Sequence, residues 1–254
     1  MCLIAFNWQN HPRYKLILIA NRDEYFHRAT APAAYWEDDP NLLAGRDLEA
    51  GGTWMGIHRR GAFTALTNYR DPQQIKSKAP SRGHLTSEFL KGNQTPLAYL
   101  KEIEPLISDY NGFNLLVGNL EELYYCSNYA KDLQKLQPGL YGLSNHLLDS
   151  PWPKVTKAKR ILEGFLNQDV MPVSDLLEAM HDSQFPPDKE VQQTGLPFEI
   201  EKQLSRMFIS MPQTNYGTHS SSVLLLDKEN RFFFTERRYP PKVEKLEERT
   251  FEMK

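Results

Sequence analysis

Cys2 is the residue in this chain best equipped for nucleophilic chemistry. If Met1 is removed, residue 2 carries both a thiol and a free α-amine. The ordinary pKa of that amine is about 8, so it could serve as the thiol's own base near neutral pH. Arg22 and Asp23 are the next candidates. A guanidinium near Cys2 would lower the thiol pKa and raise the thiolate fraction, while Asp23 could hold the ammonium or orient Arg22. Attack on an amide carbonyl also needs donors for the developing oxyanion, and the strand-terminal Asn68 and Asn145 could supply them. Gly51-Gly52-Thr53-Trp54 could form a substrate wall with an aromatic floor, and His219, beside Thr218, could act as an acid or base.

Each of these residues also has a plain reading. Cys2 could pack like any small hydrophobe on an edge strand. Arg22 and Asp23 could be a corner ion pair. Gly52 and Trp54 could be a bend beside a core tryptophan, and asparagines commonly end strands. A lone strand-edge histidine is more often structural, and Cys126, inside an apolar strand, reads as buried and inert.

The elements that must position these groups follow from the pattern. Cys2–Phe6 and Tyr14–Ala20 are short strand-prone runs around the turn chemistry of Asn10-His11-Pro12-Arg13. A turn near His11-Pro12 brings Cys2 opposite Asn21, to within a residue or two. Tyr25–Pro40 reads as an irregular surface segment. Thr53–Ile57 with Ala62–Asn68, Phe113–Gly118 with Glu122–Ser127, and Ser220–Leu226 with Arg231–Thr235 read as strand pairs. Gly139–Asn145 is a short strand. Helices are expected at Ser81–Leu90, from Pro96 to Asp109 behind the Thr95 cap, at Pro153–Leu166, Ser174–His181 and Glu199–Ile209. Arg237–Lys254 is charged and expected to be partly ordered on the surface. Hairpins at both ends with helices between them point to a single α+β domain over residues 1–254, with two antiparallel sheets covered by helices.

Composition narrows the classes. In 254 residues, 40% are hydrophobic and 24% charged, ordinary values for a soluble globular protein. The net charge of -2 shows no basic face, so no nucleic-acid partner is expected. Two cysteines make no disulfide framework. No secretory signal, transmembrane run or lipidation box is present, and the expected location is cytoplasmic. The histidines are scattered, without HExxH or CxxC, so no metal is expected. Without a Walker or GxGxxG motif, no nucleotide cofactor is expected either.

Taken together, Met1-Cys2-Leu3-Ile4, Ala20-Asn21-Arg22-Asp23-Glu24, Gly51-Gly52-Thr53-Trp54-Met55-Gly56, Leu66-Thr67-Asn68-Tyr69-Arg70, Leu143-Ser144-Asn145 and Tyr216-Gly217-Thr218 resemble the NRDE, or transport-and-Golgi-organisation, family. The motifs span nearly the whole chain in the same order. The resemblance implies an N-terminal-nucleophile (Ntn) hydrolase-like fold, an αββα sandwich of two stacked antiparallel sheets flanked by helices. Its cysteine branch includes penicillin V acylase and bile-salt hydrolase, which cleave linear amides. It implies Cys2 as nucleophile, Arg22 and Asp23 as the activating pair, and Asn68 and Asn145 as oxyanion and positioning groups. Gly52, Thr53, Trp54, Thr218 and His219 would then contact a small-molecule amide substrate. Some family members are linked to haem trafficking or acyl-lipid metabolism, so a non-catalytic haem or acyl-ligand carrier is the alternative. One departure stands out: His219 occupies a place where family members commonly have arginine.

Overall fold

The computed structural model describes residues 2–239 and 246–254. In chain order the first strands are β1 (Cys2–Trp8), β2 (Tyr14–Tyr25), β3 (Thr30–Trp36), β4 (Asp39–Asp47), β5 (Met55–His58) and β6 (Ala62–Asn68). Helices α1 (Gly83–Lys91) and α2 (Pro96–Ile103) follow, then β7 (Phe113–Gly118), β8 (Leu123–Ser127), β9 (Gln134–Lys135) and β10 (Gly139–Leu143). Next come α3 (Pro153–Phe165), α4 (Val173–Ala179) and α5 (Phe198–Leu204). The chain closes with β11 (Ser210–Met211), β12 (Tyr216–Asp227), β13 (Phe232–Arg238) and β14 (Glu247–Met253). The elements fall into two compact units, one of Met1–His27, Gln137–Ser144 and Leu148–Lys254, the other of Arg28–Leu136 and Asn145–Leu147.

The first unit carries an antiparallel sheet in the order β10-β1-β2-β12-β13-β14, with β11 on β12. His11 fixes the β1–β2 turn: its Nδ1 accepts the backbone N–H groups of Arg13 at 3.1 Å and Tyr14 at 3.3 Å. The resulting register pairs Cys2 with Arg22, one residue beyond the Asn21 partner expected from the sequence. One side of this sheet, with Leu3, Ala5, Ile17, Ile19, Val223 and Leu225, packs on Val155, Ala158 and Leu162 of α3 and Leu176 and Leu177 of α4. Each of the leucine, isoleucine and valine side chains contributes about 1.5–3 kcal/mol by leaving water. Asn21 is buried, donating from Nδ2 to the carbonyls of Met180 and Met207, both at 2.9 Å. Its Oδ1 accepts from Ser221 Oγ at 2.6 Å. The asparagine of the Asn-Arg-Asp-Glu run therefore ties β2 to the helical layer.

Two sequence expectations change in this unit. The charged end is a strand: β14 pairs with β13 along its whole length, and Arg237 Nε meets Glu248 Oε2 at 2.9 Å across the ladder. Cross-strand opposite charges and the buried Met253 favour that pairing; residues 240–245 of the segment lie outside the described residues. Helix α5 ends at Leu204 rather than Ile209, because the Ile209 carbonyl accepts the Thr218 N–H and the Ile209 N–H donates to Thr218 Oγ1.

The second unit carries an antiparallel sheet in the order β3-β4-β5-β6-β7-β8-β9. Trp36, Leu42, Ala44 and Leu66 pack there on Leu85, Phe89 and Leu90 of α1 and Tyr99 and Leu100 of α2. Thr95 caps α2, its side chain accepting from the Ala98 N–H at 3.3 Å. The segment expected to be irregular, Tyr25–Pro40, contains β3. Pro32 is tolerated there because β3 is the edge strand and its pairing with β4 is irregular between Ala31 and Ala34. The α+β expectation is met by these two sheets and the five α-helices among the described residues. None of those helices is long and apolar enough to cross a membrane.

Gly52 sits where the β4–β5 connection meets α1. A Cβ on it would lie 2.5 Å from the Gly83 carbonyl carbon and 2.6 Å from its oxygen. Thr53 N–H bonds to the Gly83 carbonyl at 3.2 Å, and Thr86 Oγ1 bonds to the Thr53 carbonyl. Backbone on backbone cannot yield as a side chain would. Gly52→Ala is expected to lower stability by about 1–3 kcal/mol, measured by urea unfolding; an unchanged midpoint would contradict this close approach.

Candidate functional site

Cys2 begins β1 and is 7% exposed. Its backbone is held on both sides, by the β1–β2 ladder and by Ser144 Oγ, which donates to the Cys2 carbonyl at 2.8 Å. Arg22 lies directly across the ladder. Burial pushes the Cys2 thiol pKa up, and the opposing influence of Arg22 is smaller. The guanidinium does lower the thiol pKa, as expected, but desolvation of the thiolate outweighs it and the net shift is upward. The sulfur sits as a thiol that needs a base. Cys126, the other cysteine, is held up at about 11, chiefly by burial, and lies in the second unit.

Asp23 is one residue beyond the last β1–β2 pair, at the end where the nitrogen of residue 2 emerges. It is 1% exposed, and Thr218 Oγ1 donates to its Oδ1 at 2.7 Å. Thr218 Oγ1 in turn accepts the Ile209 N–H at 2.9 Å, which fixes the hydroxyl's direction. Burial raises the Asp23 pKa, opposed chiefly by Lys154. The glycine of Tyr216-Gly217-Thr218 has a steric cause. A Cβ at Gly217 would lie 2.8 Å from the Ile209 carbonyl and 3.0 Å from the Phe26 ring.

His219 is the extra residue of a β-bulge: Thr218 pairs with Asp23 and Ser220 with Arg22, leaving His219 between them. A bulge re-aims its side chain. The ring stacks on Phe26 at a centroid distance of 4.7 Å and an angle of 6°, and its Nδ1 accepts from Arg22 Nη1 at 3.3 Å. Burial, reinforced by Arg22, lowers its pKa to about 4, so the imidazole is neutral at physiological pH. A neutral acceptor steadies the guanidinium that an arginine at this position would repel.

The two asparagines come together within the second unit. Asn145 Nδ2 donates to the Asn68 carbonyl at 2.9 Å, and the Arg70 N–H donates to the Asn145 carbonyl at 2.7 Å. Arg70 Nη2 also reaches Asn145 Oδ1 at 3.5 Å. Asn145 is fully buried, whereas Asn68 is half-buried and makes no side-chain hydrogen bond among the described residues. Beside them Tyr69 stacks on Tyr129, with centroids 3.9 Å apart. Gly52 and Thr53 pack against α1 in the same unit, and the half-buried Trp54 accepts the Leu66 N–H on β6 at 2.7 Å.

Sequence reading missed Ser144, Arg70 and Lys154. The first two look like ordinary polar neighbours of motif residues. Lys154 carried a signal: a lysine in the first turn of a helix opposes the helix dipole. Among the described residues, no group of three or more His, Cys, Asp or Glu side chains could hold a metal ion.

The His219 environment sets a pH dependence. The unfolded chain binds a proton there below about 6.5, while the folded chain does so only below about 4. Folding stability therefore rises with pH between these values and is lost as pH falls through them. Urea unfolding across this window should show a steeper acid-side loss for the natural protein than for His219→Gln; equal slopes would contradict a neutral, buried His219.

Residues 1–241 match the description of the Transport and Golgi organisation 2 family. The Transport and Golgi organization protein 2 homolog of Bos taurus is 35% identical over 93% of this chain and 92% of its own. The Homo sapiens homolog is 34% identical over 99% and 98%, and the Drosophila melanogaster protein 32% over 93% and 91%. Among solved structures, a Caenorhabditis elegans N-acylethanolamine-hydrolyzing acid amidase ortholog has a TM-score of 0.53 at 10% identity, covering 88% of this chain and 92% of that chain. A cysteine-to-alanine mutant of conjugated bile acid hydrolase from Clostridium perfringens has a TM-score of 0.51 at 7% identity, covering 97% and 92%. These two likenesses show an Ntn-hydrolase-like fold. The relatives and the matched motifs give the family: the chain belongs to the Transport and Golgi organisation 2 family, whose other name, NRDE, spells the run from Asn21 to Glu24.

Proposed function

We propose that this protein is an N-terminal-cysteine amidohydrolase acting on linear acyl-amide bonds of a small molecule. The observation that carries this reading is the end of the β1–β2 ladder, where Cys2 pairs with Arg22 and the buried Asp23 follows one residue beyond the last pair. A fold shared with amide hydrolases supports it without fixing the activity.

The chemistry begins after removal of Met1. The α-amine of Cys2 takes the thiol proton as sulfur attacks the amide carbonyl carbon, forming a C–S bond and an oxyanion. On collapse the C–N bond breaks, and the ammonium returns its proton to the departing amine. A water molecule then attacks the thioester with the same amine as base, releasing the carboxylic acid and restoring the thiol. A thiol raised by burial suits this scheme, because the base activates it only as the carbonyl is attacked. Asp23 orients the amine, and Arg22, steadied by His219, supplies positive charge. Asn68 and Asn145 enter as amide groups for oxyanion binding and positioning, on the strength of the family resemblance.

The test combines turnover with trapping. N-acyl p-nitroanilides of increasing chain length should give saturable release of nitroaniline, and acid quenching should leave one acyl group on the Cys2 peptide by mass spectrometry. Cys2→Ala should fall to background. Turnover unchanged in Cys2→Ala would overturn the proposal. So would tight, Cys2-independent binding of an acyl ligand without turnover, the behaviour of a carrier.

A further inference from the structure

Residues 205–209 link α5 to β11, and hydrogen bonds tie this link down on all sides. Arg206, 8% exposed, folds back along it: Nη2 donates to the Ser210 carbonyl at 3.0 Å and Nε to the Gln203 carbonyl at 3.2 Å. The Phe208 N–H donates to the Asp182 carbonyl at 2.8 Å. Met207 and Ile209 are each 1% exposed. The Met207 carbonyl accepts from Asn21 Nδ2 at 2.9 Å. Ile209 meets Thr218 twice, its carbonyl accepting the Thr218 N–H at 2.8 Å and its own N–H donating to Thr218 Oγ1 at 2.9 Å. That same hydroxyl donates to Asp23 Oδ1 at 2.7 Å. One anchored link therefore reaches Asn21 directly and Asp23 through Thr218, the two residues flanking Arg22.

The direction of the bond to Asp23 follows from counting hydrogens. A threonine hydroxyl has a single hydrogen to give. A backbone N–H can only donate, so Oγ1 is the acceptor toward Ile209 and its own hydrogen goes to Asp23. Buried and with that hydrogen committed, the hydroxyl has none to offer a substrate. The family resemblance implies Thr218 as a substrate contact; its hydrogen bonds give it a different task. Gly217 allows the same approach, since a Cβ there would meet the Ile209 carbonyl at 2.8 Å. By strand alternation Asn21 and Asp23 share one face of β2, while Arg22 takes the opposite face with its ladder partner Cys2.

We propose that Thr218 is a positioning residue of the N-terminal site, its hydroxyl keying Asp23 to the 205–209 link and so fixing the carboxylate at the Cys2 end of the β1–β2 ladder. The contact stands on the structure; its consequence for the nucleophile rests on the amidohydrolase reading. Asp23 follows one residue beyond the Cys2–Arg22 pair. To orient the α-amine of Cys2, its carboxylate must itself be held against rotation about its side-chain bonds. The hydrogen bond from Thr218 to Oδ1 supplies that restraint. No bond forms or breaks at Thr218.

Thr218→Val keeps the shape of the side chain and removes the hydroxyl, whereas Thr218→Ser keeps the hydroxyl. The first measurement is thermal unfolding of Thr218→Val, Asp23→Asn and the double variant. Loss of the hydroxyl should lower Tm more in the natural background than in the Asp23→Asn background, because a charged acceptor makes the stronger bond. Equal losses overturn the contact. If Thr218→Val does not fold alone, the double variant, which strands no carboxylate, should fold; its failure to fold overturns the contact as well.

The second measurement uses protein confirmed by intact mass to begin at Cys2, and follows condensation with 2-cyanobenzothiazole. This nitrile joins the thiol and the amine of one residue with loss of ammonia, and needs no amide hydrolysis. Thr218→Val should slow it about tenfold or more through lost orientation, and Thr218→Ser should restore the natural rate. In amide turnover the same loss should appear in kcat with KM unchanged. If Thr218→Val does not fold alone, the double variant should condense at the rate of Asp23→Asn, since no carboxylate remains to be held; a further loss overturns the role. Condensation unslowed in folded Thr218→Val, or a raised KM at unchanged kcat, also overturns it. Absence of amide turnover with both results as expected counts against the amidohydrolase reading and leaves Thr218 holding Asp23. A chain that keeps Met1 counts against that reading too, and the unfolding cycle alone then decides the contact.

Discussion

The antiparallel ladder between β1 and β2 is the constraint on which the first unit depends. Seven consecutive residue pairs fix Cys2 against Arg22 and leave Asp23 just beyond the end. A slip of one residue would turn every side chain of β1 to the other face, and the turn anchored by His11 Nδ1 on the Arg13 and Tyr14 N–H groups sets the register. Chemistry at the start of a chain normally suffers from fraying. Here the terminal strand has a partner on either side, and Ser144 holds the carbonyl of Cys2 itself.

Burial and charge oppose each other at this end of the sheet. The thiol of Cys2 and the carboxyl of Asp23 are both raised by desolvation, and His219 is lowered by it. All three shifts favour the uncharged form. Arg22 and Lys154 are the cations set against that tendency, one facing the thiol across the ladder and one acting on the carboxylate. The bulge at His219 extends the arrangement, because an uncharged ring beside Arg22 accepts a hydrogen bond where a second guanidinium would add like charge.

Much of this was legible in the sequence, for reasons that differ from residue to residue. The hairpin from Cys2 to Ala20 announces itself by two apolar runs around a proline turn, and the Thr95-Pro96 helix start by cap chemistry. The clustering of Asn68 with Asn145 follows only from pairings far apart in the chain. Pattern reading failed where tertiary pairing overrides local composition. Strand β3 carries a proline that an edge position tolerates, and β14 hides its alternation beneath charges matched across the ladder. Lys154 left only a faint signal, a cation at the unfavourable end of a helix: pattern reading expects such a lysine in solvent, whereas it is buried and bears on Asp23.

The central claim is that sulfur and a free terminal amine reside on one residue, placed against Arg22. The most direct measurement is the mature first residue of the natively expressed protein, by intact mass and N-terminal sequencing. A chain that begins at Cys2, one methionine lighter than its full sequence, is the predicted result. A chain that retains Met1 throughout would contradict it.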